Sequence, residues 1–186
     1  GGGSGIFLDL KLHDIPNTVA KASRVLTRLG VNIFNLHAAG GRAMMRAALE
    51  ASRDEAAVLG IAPPLVVAVT VLTSLDRDAL NSELGIPGEE EERVIEWAMM
   101  SQEAGLDGVV ASPREVKAIR EACGPDFVVI TPGIRPTGVA SDDQKRIMTP
   151  LEAVREGSTY LVIGRPITAA GLPKVAAETI GKELAG

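Results

Sequence analysis

The sequence predicts an α/β fold of parallel strands. Within that class it predicts a (β/α)8 barrel represented from its third strand onward by six strand–helix units. Three observations carry this. Apolar, β-rich runs alternate with helix-patterned segments, and no hairpin signal joins any two of them. The strand runs are nearly unbroken in apolar character, as expected of strands covered by helices. Polar groups stand at the C-terminal end of every strand, where an open sheet would concentrate them at one switch point and a barrel collects them from many strands.

The elements follow in order. Ile6–Leu10 is strand-like, and Pro16 opens a helix with Val19, Ala22, Leu26 and Leu29 at helical spacing and Gly30 as its stop. Val31–Leu36 is the second strand, followed by a helix over Arg42–Leu59 that Gly60 ends. Leu65–Val71 is the third strand and Leu75–Leu84 a short helix. After the Gly85-Ile86-Pro87-Gly88 break, the acidic run Glu89–Glu92 opens a helix reaching Ala104, because negative charge in a first turn complements the helix dipole. Asp107–Ala111 is the fourth strand, and Pro113–Ala122 its helix, with Ser112 as cap and Pro113 at the first helical position. Phe127–Thr131 is the fifth strand, and a long loop runs from Pro132 to Met148. Leu151–Glu156 is helical, Tyr160–Ile163 is the sixth strand, and a last helix covers Pro173–Leu184.

Composition bounds the function. The 186 residues suffice for one domain, expected over residues 6–186, while Gly1–Gly5 (Gly-Gly-Gly-Ser-Gly) reads as a flexible linker or cloning scar. Apolar content of 46% and charged content of 23% fit a soluble globular chain, and no run of eighteen apolar residues suggests a membrane span. A net charge of −5 and only 3% aromatic residues argue against nucleic acid as a partner. A lone cysteine, Cys123, excludes an intrachain disulfide and fits a reducing, cytoplasmic setting. Two histidines and scattered carboxylates argue against a metal centre.

The chemistry concentrates in two places. The first strand runs Phe7-Leu8-Asp9-Leu10-Lys11-Leu12-His13-Asp14. Charges in an otherwise apolar strand cost several kcal/mol unless paired or used. Asp9 and Lys11, two apart, are expected on one face, with Asp14 just past the strand. An ammonium held by carboxylates can serve as a general acid. A structural salt bridge, with Asp14 as a helix cap, is the equal alternative. Gly164-Arg165, followed by Pro166 opening a helix, suits a phosphate dianion through backbone N–H groups and a guanidinium, or is an ordinary strand–helix turn. The Pro132–Met148 loop carries Arg135, Gln144, Lys145 and Arg146, and is either a lid or a surface loop. Asn35 and His37 end the second strand, and Thr70, Thr73 and Ser74 the third. His37 reads first as a satisfied strand-end histidine and His13 as outward-facing or packed. Met44-Met45 and Met99-Met100 read as packing or interface residues.

Together, "FLDLKLHDIPNT", "VTVLTS", "TPGIRPTG…DQKR" and "LVIGRPIT" resemble the bacterial orotidine 5′-monophosphate decarboxylases in order and spacing, from Ile6 to the C-terminus. The resemblance implies a dimeric (β/α)8 barrel that converts orotidine monophosphate to uridine monophosphate and CO2 in pyrimidine biosynthesis, without metal or cofactor. By that match Lys11 is the proton donor to C6, Asp9 sits beside the departing carboxylate, and Asp14 reaches into a partner's site. Thr18 contacts the nucleotide and Thr73 lies near the base. Arg135, Gln144, Gly164 and Arg165 hold the phosphate beneath the closing loop. The family has two further strand–helix units ahead of this region, carrying a ribose-binding aspartate and a second lysine; the chain is expected to be a partly represented decarboxylase, one piece of a barrel completed by another chain, or a fold fragment. The alternatives are a barrel fragment that self-associates without turnover, and a sugar-phosphate decarboxylase sharing the shorter Asp-x-Lys-x-x-Asp pattern.

Overall fold

The computed structural model describes residues 5–136 and 148–185. Among them are six strands: β1 (Phe7–Leu12), β2 (Ile33–His37), β3 (Leu65–Val69), β4 (Gly108–Val110), β5 (Val128–Thr131) and β6 (Tyr160–Leu161). They are ordered as they occur in the chain, β1-β2-β3-β4-β5-β6. The helices are α1 (Pro16–Arg28), α2 (Gly41–Leu59), α3 (Glu90–Glu103), α4 (Val116–Cys123), α5 (Pro150–Arg155), α6 (Arg165–Thr168) and α7 (Pro173–Ala185). The chain divides into two compact units, Gly1–Thr70 with Ile95–Val109, and Val71–Val94 with Val110–Gly186.

In the first unit β1, β2 and β3 pair in parallel. Asp107 at the foot of β4 continues the ladder by donating its N–H to the Val66 carbonyl at 3.0 Å. Phe34 and Leu36 of β2 and Val66, Val67 and Ala68 of β3 are fully buried, as their apolar runs require. The helix α1 starts at Pro16 because an extended residue, Ile15, precedes it and proline is preset for a first helical position. It buries Val19, Ser23, Leu26 and Thr27, one helical stripe, against α2. Thr27 and Ser52 share a buried hydroxyl–hydroxyl bond of 3.0 Å across that contact, and Arg28 grips Glu55 through two nitrogens, at 2.7 and 3.2 Å. Gly60 ends α2 in the left-handed region, φ +66°, where its N–H caps the last turn.

The β1–β2 ladder is irregular where it matters most. Leu8 pairs with Phe34 and Leu12 with Leu36. Asp9, Leu10 and Lys11 therefore occupy the interval that Asn35 alone spans in β2. The excess is absorbed at Lys11, whose φ of +54° makes it the one non-glycine residue in the left-handed region among those described.

In the second unit, Ala111 donates to the Ile130 carbonyl at 3.1 Å, and β5 pairs with β6 in parallel. Ser112 caps the turn after β4, as expected, by accepting from the Arg114 N–H. That turn is 3-10 over Pro113–Glu115 before α4 begins. Thr149 and Glu152 form a reciprocal capping box on α5, with Pro150 at the start. Arg120 of α4 donates to the carbonyls of Gly157, Gly124, Pro125 and Phe127 and to the Thr159 hydroxyl, tying the foot of β5 to the foot of β6.

Several expected elements are shorter in the structure, the third and fourth strands by two residues each. The helix expected over Leu75–Leu84 is a single π turn, Ala79–Glu83. Asn81 donates to the Arg77 and Gly88 carbonyls and accepts from the Gly88 N–H, and Ser82 donates to Asp78, so polar side chains compete for the backbone there. The sixth strand keeps only Tyr160–Leu161, because the chain turns at Gly164 into α6.

Candidate active site

The top of β1 and β2 holds a compact polar cluster. Lys11 Nζ donates to Asp9 Oδ1 at 2.7 Å, and Asn35 Nδ2 donates to the same oxygen at 2.6 Å. Asn35 Oδ1 accepts the Lys11 backbone N–H at 2.7 Å. Asn35 is completely buried, whereas the Asp9 and Lys11 side chains are 49% and 38% exposed. A pair that open to solvent does little for stability, but it stands ready to meet a ligand.

Electrostatics set the protonation states. Burial pushes the Asp9 carboxyl up, but hydrogen bonds from Lys11 and Asn35, with the charge of Lys11 and the nearby His37, outweigh it and leave Asp9 below the usual carboxylate value. At His37 partial burial is the largest cause, joined by His13 and Lys11 and opposed by Asp9; the imidazole titrates below its ordinary range and is neutral at pH 7. The His13 ring lies beside it, centroids 5.5 Å apart and tilted by 41°. His13 is exposed and packs on His37, in keeping with the outward-facing or packed reading.

Other expected site residues are placed as follows. Asp14 is exposed and accepts the Ile15 N–H at 2.6 Å; the cap position of α1 belongs to Ile15, so Asp14 is not the helix cap. Thr18 is exposed on the first turn of α1. In the second unit Thr73 is half-buried. Arg135 is buried, its guanidinium donating to the Ile134 carbonyl at 3.2 Å and its N–H to Met148 at 3.0 Å. Ile134 and Met148 pair as a parallel bridge. Gly164 and Arg165 are exposed, and the Gly164 carbonyl accepts from Ile167 and Thr168 at 2.8 and 3.0 Å, closing the turn of α6. A side-chain carbon at Gly164 would meet nothing within 4 Å, which leaves the face of this turn open. Gln144, with Lys145 and Arg146, lies outside the described residues. Among the described residues no group of three or more His, Cys, Asp or Glu side chains could hold a metal ion.

Two features have no role in the sequence reading. One is the double contact of Asn35; the only sequence signal is a polar residue inside a buried strand opposite an Asp-x-Lys pair. The other is a cleft of about 340 Å³ in the second unit, lined by Arg77, Glu89, Glu90, Glu91, Arg114 and Glu115. Burial dominates at Glu115 there, reinforced by Glu91; Ser112 hydrogen bonds and Arg114 oppose it, and the carboxyl is raised to about 7.

Comparison with known proteins gives the family. Residues 2–180 match the model of the orotidine 5'-phosphate decarboxylase / HUMPS family. The chain belongs to this family. It is 63% identical to the orotidine 5'-phosphate decarboxylase of Moorella thermoacetica, over 98% of this chain and 72% of that protein. It is 53% identical to that of Heliobacterium modesticaldum, over 98% of this chain and 75% of that protein. Among solved structures, orotidine 5'-phosphate decarboxylase from Lactobacillus acidophilus superimposes with a TM-score of 0.87 at 41% identity, over 98% of this chain and 76% of that one. The enzyme from Pyrococcus horikoshii, at 24% identity and a TM-score of 0.71, supports the fold. The fold class is thus the (β/α)8 barrel, represented by six strand–helix units.

Proposed function

We propose that the chain decarboxylates orotidine 5′-monophosphate to uridine 5′-monophosphate and CO2, with Lys11 delivering the proton to C6. The observation that carries this is the Lys11 ammonium paired at 2.7 Å with an ionised Asp9, in the family's Asp-x-Lys-x-x-Asp motif. Loss of CO2 leaves an electron pair and negative charge on C6. An ammonium fixed near that carbon stabilises the charge as it develops and then protonates it. The charge of Asp9 opposes the substrate carboxylate more than it opposes the state in which CO2 has left.

Thr18 and Thr73 take the nucleotide and its base, and Arg135, Gln144, Gly164 and Arg165 its phosphate. The exposure of Arg165 and the open turn at Gly164 support that role for the pair. Asp14, exposed and bonded locally to the Ile15 N–H, reaches a second copy of the chain in a homodimer. The protein works in the cytoplasm. Cys123, the chain's single cysteine and buried, suits a reducing compartment.

The test is turnover assayed in parallel with orotidine monophosphate and with a sugar-phosphate carboxylate, together with thermal melts in the presence of uridine or 6-azauridine monophosphate. Turnover of the nucleotide alone, with a raised melting temperature, is the expected result. An unmoved melting temperature, or turnover of the sugar phosphate instead, refutes the reading.

A further inference from the structure

We propose that Asn35 is a positioning residue for the reaction: through one side-chain amide it sets both the backbone of Lys11 and the carboxylate of Asp9. The inference rests on the reading of Lys11 as the proton donor, and adds a residue to it.

The argument begins with the irregular ladder. With three residues of β1 opposite Asn35, no regular register pairing covers the stretch between Leu8 and Leu12. The Lys11 N–H would be left out of the ladder, and a buried or half-buried donor needs a partner. Asn35 Oδ1 supplies it at 2.7 Å. The same bond holds Lys11 at φ +54°, a conformation that L-residues rarely adopt and that persists only when its surroundings impose it. The other end of the amide donates to Asp9 Oδ1 at 2.6 Å, the oxygen that also receives Lys11 Nζ at 2.7 Å.

The three residues therefore close a ring of three hydrogen bonds, two donated by Lys11 and one by Asn35. The orientation of the amide is fixed by its partners. Turning it over would set NH2 against the Lys11 N–H and a carbonyl against the Asp9 carboxylate. No other side chain of this size does both jobs, since aspartate has only acceptors and leucine has neither. Asn35 is completely buried and β2 is held by β3, so the anchor is rigid where the residues it holds are half-exposed. The charged and titratable groups facing Asp9 are Lys11 on its own strand and His37 on β2, with the tilted His13 ring beside His37.

Three measurements on the full chain test this. In the unaltered, isotope-labelled protein, a scalar coupling across the hydrogen bond between the Lys11 amide nitrogen and the Asn35 side-chain carbonyl carbon is expected; its absence overturns the proposal without any variant having to fold. In Asn35→Ala, kcat is expected to fall about 10–100-fold, as for a reacting group displaced by about 1 Å, with KM changed less than about threefold. In Asn35→Asp the Lys11 N–H keeps its acceptor while Asp9 gains a like charge, so the Lys11 amide stays protected from hydrogen exchange and the acidic limb of the rate profile moves to higher pH. Unchanged kcat and pH profile in both variants, alongside an inactive Lys11→Ala, overturn the role of Asn35 alone. Turnover that survives Lys11→Ala overturns the assignment of Lys11 itself, and the catalytic role of Asn35 with it.

Discussion

Lys11 Nζ and Asp9 Oδ1 lie 2.7 Å apart across a break in strand alternation, both side chains reaching solvent. An exposed ion pair contributes about 0–1 kcal/mol to stability. Replacing either partner therefore separates chemistry from folding. Lys11→Ala is expected to keep its melting temperature within a few degrees and to bind uridine monophosphate, while decarboxylation falls by at least about 10³-fold. Stopped-turnover assays and calorimetric melts measure the two effects. Activity within tenfold of the parent removes Lys11 as the donor.

Asp9 also predicts a pH dependence. Its folded-state carboxyl lies below the ordinary 3.8, so its contribution is fully present above that value and is lost as pH falls through the lower folded value. A rate profile on the acidic side should accordingly show no loss attributable to Asp9 at pH 5. Asp9→Asn, which removes the charge at every pH, should be inactive across the whole profile.

Arg165 is exposed at the start of α6, on a turn whose glycine leaves its outer face clear. Arg165→Ala is expected to weaken uridine monophosphate about 10–100-fold, the equivalent of one or two charge-assisted hydrogen bonds, and to leave uridine unchanged. Titration calorimetry with both ligands gives the comparison. Equal losses would show that the guanidinium does not read phosphate.

Glu115 carries a linkage of opposite sign to Asp9. Its carboxyl rises from 4.5 to about 7 on folding, so the folded state binds the extra proton. Its contribution is present below pH 4.5 and is lost as pH rises toward 7, a swing on the order of 3 kcal/mol. Glu115→Gln keeps a neutral, hydrogen-bonding side chain at every pH. Chemical denaturation should find the variant equal to the parent at pH 4.5 and more stable at pH 8. A constant difference between the two across that range would count against a buried, protonated Glu115.

Arg120 holds four backbone carbonyls and a hydroxyl around the feet of β5 and β6. Arg120→Ala strips partners from part-buried acceptors and should cost about 2–4 kcal/mol in urea unfolding. Arg120→Lys should recover less than half, because a point ammonium cannot span that fan of acceptors. Full recovery by lysine would mean that charge alone, rather than the planar fork, does the holding.

The fold was legible because the strands are largely apolar runs and several helices have punctuation: Pro16 and Pro173 at starts, Gly60 at an end, Ser112 at a cap. Elements whose backbone is claimed by side chains were not, as at Asn81 and Ser82, where local bonds shorten a helix to one π turn. The Thr149-x-x-Glu152 box is a helix start readable from spacing alone. The nearness of Asp9 and Lys11 was expected from simple alternation. They are indeed paired, but Lys11 reaches Asp9 from a left-handed backbone, a conformation that no spacing rule announces for lysine. Asn35 stood in view as a polar residue ending a strand, yet its two bonds depend on a register that only the folded ladder fixes.

That three-against-one interval constrains how the segment can evolve. Leu10, in its middle, is half exposed and could change identity at little cost. Its presence is another matter. Deleting it would let β1 relax toward regular pairing and swing Lys11 to the opposite face, since the sides of a strand alternate. The stretch from Asp9 to Lys11 is therefore a ruler whose length matters more than its lettering: substitutions at its centre should be tolerated across variants, and single-residue gaps should not.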